Sequence, residues 1–139
     1  MENYFTEKEI RLIQESFKRL TEKSDKTGEI FYTKLFEANP EIVKLFKDDI
    51  KEQSHALMRM VKTAVEGLNN VNIILPAVQE LGKRHHEYGV SADQFKTFGE
   101  CLVKCIEIEL GSEFDDEAKT AWNKLYNVLE DIIKGKHYR

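Results

Sequence analysis

Proline is scarce in this chain, with two in 139 residues, and glycine occurs only seven times. So few breakers leave room for long helices and exclude a low-complexity or loop-rich chain. Strand-like alternation is nearly absent, which argues against a sandwich or barrel. There is no basic excess. The formal net charge is -4, whereas a nucleic-acid binder normally carries a basic patch or surplus. Apolar runs are short. Ile73-Ile74-Leu75 is typical, far below the roughly 20 residues of a membrane-spanning helix. The start, Met1-Glu2-Asn3-Tyr4-Phe5, has neither a basic leader nor an apolar signal core, so the expected location is cytoplasmic. Cysteine occurs twice, at Cys101 and Cys105, four apart in a helical pattern. Helix geometry suits a disulfide poorly there. No further Cys or His stands at zinc-site spacing, so buried free thiols are expected.

What is present is the balance of a globular domain: 41% hydrophobic and 33% charged residues. The length, residues 1-139, suits one domain with a sizeable core. The pattern predicts an all-α chain of about seven helical segments. The first starts at Thr6, where Thr6 and Glu9 have capping-box spacing. Ile10, Ile13, Phe17 and Leu20 form its inward face, and the polar run Thr21 to Thr27 closes it. The second runs from about Thr27 to Ala38, with Phe31/Leu35 and Tyr32/Phe36 as adjacent rows of one broad buried face. Asn39-Pro40 reads as a cap followed by proline at the first helical position, opening a short segment with Ile42, Val43, Leu45 and Phe46.

A long helix is expected from about Lys51 to Leu68, with Gln53, Leu57, Val61, Ala64 and Leu68 on one face. The next carries Pro76 in its first turn and places Val78, Leu81, His85 and Tyr88 on one side, ending at Gly89. His86 is turned about 100° from His85 and faces solvent. Ser91 and Gln94 cap a helix bearing Phe95, Phe98, Leu102, Cys105 and Ile106, which ends near Leu110-Gly111. The last begins around Asp115-Asp116-Glu117, acidic at the positive end of its dipole. It buries Ala118, Ala121, Trp122, Leu125, Val128, Leu129 and Ile132, and the tail from Gly135 to Arg139 is expected to fray.

Three polar groups fall on otherwise apolar faces: Tyr32, Gln53 and His85. Each has an ordinary reading. An inward histidine is most often a hydrogen-bonded core residue, though it also serves as a metal ligand or pH-sensitive group. A buried tyrosine is usually a packed aromatic whose hydroxyl finds a carbonyl. A glutamine early in a helix can simply be exposed or help to cap it.

Their order is more specific. Phe31-Tyr32 through Leu35-Phe36 is followed by Asn39-Pro40 through Leu45-Phe46. Gln53 through Leu57-Met58 comes next, then Leu81-Gly82-Lys83-Arg84-His85 with Gly89-Val90, and finally Ala121-Trp122 through Tyr126. This series resembles the globin family, and is similar to single-domain bacterial haemoglobins and the haem domains of flavohaemoglobins.

The resemblance implies a three-over-three helical sandwich around one haem b. It makes His85 the proximal iron ligand, stacks Phe46 on the porphyrin, and sets Tyr32, Gln53 and Leu57 on the distal side where gas binds. It makes Leu81, Val90 and Phe98 apolar haem contacts. Arg84 either reaches a propionate or belongs to a solvated helix face. An iron-binding imidazole must be neutral and should donate its other N–H to a nearby acceptor, such as the carbonyl around Leu81. Bound dioxygen draws negative charge, and both the Tyr32 hydroxyl and the Gln53 amide are donors. Each such bond is worth roughly 1–3 kcal/mol, or about one to two decades in release rate. Glutamine is a poor iron ligand, so the sixth position is expected to be open. His55 lies about 200° around the helix from Gln53 and should face away.

One departure stands out. Relatives of the flavohaemoglobin type commonly place a tyrosine and a glutamate beside the proximal histidine. Phe95 and His137 occupy those places here. The implied function is reversible binding of dioxygen and other diatomic gases, carbon monoxide and nitric oxide included. Nitric oxide dioxygenation is the enzymatic alternative. It would require a separate reductase, because no flavin-domain sequence follows. A gas sensor is a third reading. A haem-free bundle with His85 in the core is the simplest. Oligomeric state is not fixed by any of these features.

Overall fold

The computed structural model describes residues 5–23, 26–45, 50–87 and 90–134. Those residues contain six α-helices and no strand: α1 (Glu7–Lys23), α2 (Thr27–Ala38), α3 (Ile50–Glu66), α4 (Val71–Glu87), α5 (Ala92–Leu110) and α6 (Asp116–Lys134). Short 3-10 turns at Pro40–Leu45, Gly67–Asn69 and Gly111–Glu113 lie between them. Counting the Pro40–Leu45 turn, these are the seven helical segments that the periodicity predicts.

Most boundaries are set by local chemistry visible in the residues. The Thr6 N–H donates to Glu9 Oε1 at 2.8 Å and the Glu9 N–H to Thr6 Oγ1 at 3.1 Å, a reciprocal capping box. Ser91 and Gln94 repeat it at the start of α5. Asp115 Oδ1 accepts the Ala118 N–H at 2.8 Å ahead of α6. One boundary differs from expectation. Helix α4 begins at Val71, so Pro76 lies inside it rather than in its first turn. A proline there cannot bond the Asn72 carbonyl. Both Asn72 and Pro76 are exposed, so water can take up the orphaned acceptor. Gly89 and the tail from Gly135 lie outside the described residues.

Helix α2 packs against α3 and α5, α1 against α3, α5 and α6, α5 against α6, and α4 against α6. The centre is apolar: Ile13, Phe31, Leu35, Cys105 and Ile106 are fully buried. Trp122 is 1% exposed, and its indole N–H donates to Ser16 Oγ at 3.2 Å. The Ser16 hydroxyl in turn donates to the Leu12 carbonyl, so this buried polar pair satisfies itself. The inward row of α6 runs through Ala118, Ala121, Trp122, Leu125 and Ile133, while Val128, Leu129 and Ile132 are half-buried.

Two crossings depend on the missing side chain of glycine. A Cβ on Gly28 would lie 2.8 Å from both Cβ and O of Ser54, so α2 and α3 meet backbone to backbone. A Cβ on Gly82 would overlap the Ile133 carbonyl oxygen and lie 2.9 Å from its carbon. Helix α4 is seated on α6 at that point.

Candidate functional site

The α2–α3 crossing positions the two polar side chains of the expected gas pocket. Tyr32 lies one turn after Gly28 on α2, and Gln53 is adjacent to Ser54 on α3. Tyr32 is 4% exposed, and burial pushes its phenol up to about 12. Its hydroxyl therefore keeps its proton throughout the neutral range and remains a hydrogen-bond donor. Gln53 is half-buried, and Leu57, one turn further along α3, is buried. The stripe Leu57, Val61, Ala64 and Leu68 is buried as its spacing predicts.

Aromatic contacts tie this region to α5. The Phe31 ring stands edge-on to Tyr32 at 5.0 Å and to Phe98 at 4.6 Å, and Tyr32 lies 5.9 Å from Phe36. Phe98 stacks on Tyr126 at 6.5 Å. Phe36, Val90 and Phe98 are half-buried against the core. Interior-facing apolar side chains left half-covered beside a buried phenol and a half-buried amide suit a flat apolar group with one reactive centre. The described residues thus fit the haem that the resemblance implies.

Other expected members fall in less defined parts of the chain. His85, Arg84 and Leu81 belong to α4 by backbone, and their side chains lie outside the described residues, as does that of His86. Phe46 and His137 lie outside them altogether. His55 is exposed. With Lys26, Gly28, Glu29, Lys51, Ser54 and Met58 it lines a shallow groove of about 350 Å³, and neither Tyr32 nor Gln53 borders it. The helical phase that turns His55 away from Gln53 holds.

Cys101 and Cys105 are buried free thiols. Burial raises both, Cys105 to about 12, and Cys105 Sγ donates to the Thr27 carbonyl at 3.6 Å. Such thiols are unreactive. Among the described residues no group of His, Cys, Asp or Glu could hold a metal ion, and no helix is long and apolar enough to cross a membrane.

Phe95 is buried, and its carbonyl accepts the Tyr126 hydroxyl. Burial first, then the nearby Glu130 charge, raises the Tyr126 phenol far above its usual range. Glu130 itself escapes a reading of the sequence. Its side chain is 17% exposed. One oxygen, Oε2, pairs with Lys134 Nζ at 3.2 Å, and the other, Oε1, is buried with no hydrogen-bond partner. The available signal is its phase: it falls four residues after Tyr126 and three before Ile133, on the row that meets α5 and α4.

Comparison with known proteins agrees with this architecture. A bacterial flavohemoprotein from Bacillus cereus is 30% identical over 131 residues, covering 92% of this chain but only 32% of the relative. The chain thus spans about a third of the length of the curated relatives it matches. Among solved structures, an engineered carbene transferase from Rhodothermus marinus superposes with a TM-score of 0.85 at 24% identity, covering 96% of this chain and 93% of that one. A bacterial globin from Campylobacter jejuni gives 0.78 at 24% identity, covering 93% and 96%. These structures share the fold. The family model described as Globin matches residues 29–133, from the first turn of α2 to the last turn of α6, and the all-α chain built around that crossing belongs to the globin family.

Proposed function

We propose that this chain binds haem b and, through it, dioxygen and other diatomic gases such as carbon monoxide and nitric oxide. The observation that carries the reading is a buried, protonated Tyr32 and a half-buried Gln53 carried by two helices in close contact at Gly28 and Ser54. Support comes from membership of the globin family and from the flavohemoprotein relatives. When bound, the haem supplies an iron centre that takes a diatomic gas. His85 would hold the iron through an imidazole nitrogen. Phe46, Leu57, Leu81, Val90 and Phe98 would give the apolar surround, and Arg84 would offer a cation to a propionate. Tyr32 and Gln53 would offer hydrogen-bond donors to the gas.

The absorption spectrum of purified protein, with and without carbon monoxide, tests this. A haem band shifted by carbon monoxide is expected, and His85→Ala should lose most of the haem. A variant that still holds haem normally would remove His85 from its role.

The resemblance to the haem domains of flavohaemoglobins implies one further reading, nitric oxide dioxygenation. It needs an electron in each turnover, so it requires a reductase as partner. Nitric oxide consumption that continues over many turnovers with an added reductase supports it. A single stoichiometric burst under the same conditions leaves gas binding alone.

A further inference from the structure

We propose that Tyr126 is a positioning residue for the hydroxyl of Tyr32, acting from α6 through the rings of Phe98 and Phe31. The inference rests on the haem-binding reading above, in which that hydroxyl is a donor to the gas.

The anchor lies where α6 meets α5. Gly99 has no side chain, and a Cβ there would overlap Cδ2 and Cε2 of Tyr126 and stand 2.7 Å from its Cζ. The phenol ring is therefore seated directly on the backbone of α5. Its hydroxyl donates to the carbonyl of Phe95, one turn before Gly99, so the ring is fixed along its edge and at its tip. Phe98, the neighbour of Gly99, stacks on this ring with centroids 6.5 Å apart and planes inclined by 22°.

From there the ring contacts run across α5 to α2. Phe98 stands edge-on to Phe31 at 4.6 Å, and Phe31 stands edge-on to Tyr32 at 5.0 Å. Aromatic quadrupoles favour such arrangements. Phe31 and Tyr32 are buried, and in a close-packed interior neither can shift without its neighbour. Phe98 is only half-buried, so the core does not enclose it completely, and the Tyr126 ring supplies the fixed surface on which it rests. A hydrogen bond weakens steeply as its angle closes. A Phe98 ring free to tilt would pass a small displacement through Phe31 to the Tyr32 hydroxyl, and the donor bond would suffer more than the packing. A tyrosine that merely joined α5 to α6 would leave the donor on α2 unchanged.

The test is the C–O stretching frequency of the carbon monoxide complex of the haem-loaded chain, read by infrared spectroscopy beside stopped-flow dioxygen release. Tyr32→Phe sets the frequency of a pocket without the hydroxyl. Tyr126→Leu should move the stretch part of the way toward that value. It should also speed dioxygen release about three- to tenfold, a fraction of the effect of removing the hydroxyl itself. Tyr126→Phe keeps a ring at Gly99 and should fall between Tyr126→Leu and the parent. Ser16→Ala breaks a buried bond to Trp122, one turn earlier on α6, and should leave the stretch at the parent's value. An unmoved stretch in Tyr126→Leu, whatever its thermal stability, overturns the assignment, as does an equal shift in Ser16→Ala. If Tyr126→Leu fails to fold, Gly99→Ala displaces the same ring from its seat, and an unmoved stretch there overturns the assignment too. Failure of the parent chain to take up haem rejects the haem-binding reading and this one with it. A carbon monoxide complex that responds to Tyr32→Phe but not to Tyr126→Leu rejects this one alone.

Discussion

Replacing Gly82 with alanine probes the seat of α4 on α6. The new Cβ would overlap the Ile133 carbonyl oxygen and stand 2.9 Å from the carbonyl carbon and 3.0 Å from Cα. All three are backbone atoms, so no rotamer change can relieve the contact. The helices must part, and overpacking of this kind costs about 1–3 kcal/mol, with a backbone clash at the upper end. Alanine returns about 1 kcal/mol through its helix propensity. The net loss is about 2 kcal/mol, or roughly 8 °C in Tm for a domain of this size. Thermal and urea unfolding followed by circular dichroism would measure it, with the urea midpoint falling at unchanged slope. Haem retention should fall as well, because His85 lies one turn beyond the displaced residue. A Tm equal to or above that of the parent would refute the close approach and the placement of α4 that depends on it.

Three further outcomes follow from groups already described. In the haem-loaded protein, Tyr32→Phe should release dioxygen about one to two decades faster by stopped-flow, and an unchanged rate would remove the hydroxyl from the pocket. The same variant should flatten the alkaline stability profile. Tyr32 is raised from 10.0 to about 12 on folding, so its contribution is fully present below pH 10. That contribution is lost as pH rises from 10 through 12, about 3 kcal/mol in all. Parent and Tyr32→Phe urea midpoints that decline in parallel over that window would contradict this. Ser16→Ala strands the buried Trp122 N–H and should cost about 1–3 kcal/mol. Trp122→Phe on the Ser16→Ala background should recover part of it, and a double variant no more stable than the single would argue against the stranded donor.

The helices were largely legible because their signals are local. Thr6 with Glu9 and Ser91 with Gln94 each hold partners three residues apart, and both boxes form. The buried phase of Leu57, Val61 and Ala64 follows from spacing alone. Tyr32 is buried and Gln53 half-buried on packed helices, as their place among apolar neighbours suggests. Pro76 misled because its usual position is the first helical turn, whereas an exposed helix face tolerates it six residues in. Glu130 was illegible for a different reason. A charged residue in an amphipathic helix normally faces water, and the partial covering of this one follows from tertiary packing of α6, which meets both α4 and α5. Gly28 and Gly82 look like ordinary helix weaknesses until their partners, distant in the chain, are brought against them.

The Gly28–Ser54 crossing bears on how the site responds to hydrostatic pressure. Helices spaced by long side chains can settle into rotamer gaps when squeezed, because the layer between them holds free volume. At this joint backbone meets backbone, and almost no void is left to surrender. Tyr32 and Gln53 hang from the two sides of that incompressible joint. The spacing of the helices that carry the two donors is thus set by backbone contact rather than by the fit of long side chains, and it should persist through pressures that soften the rest of the molecule.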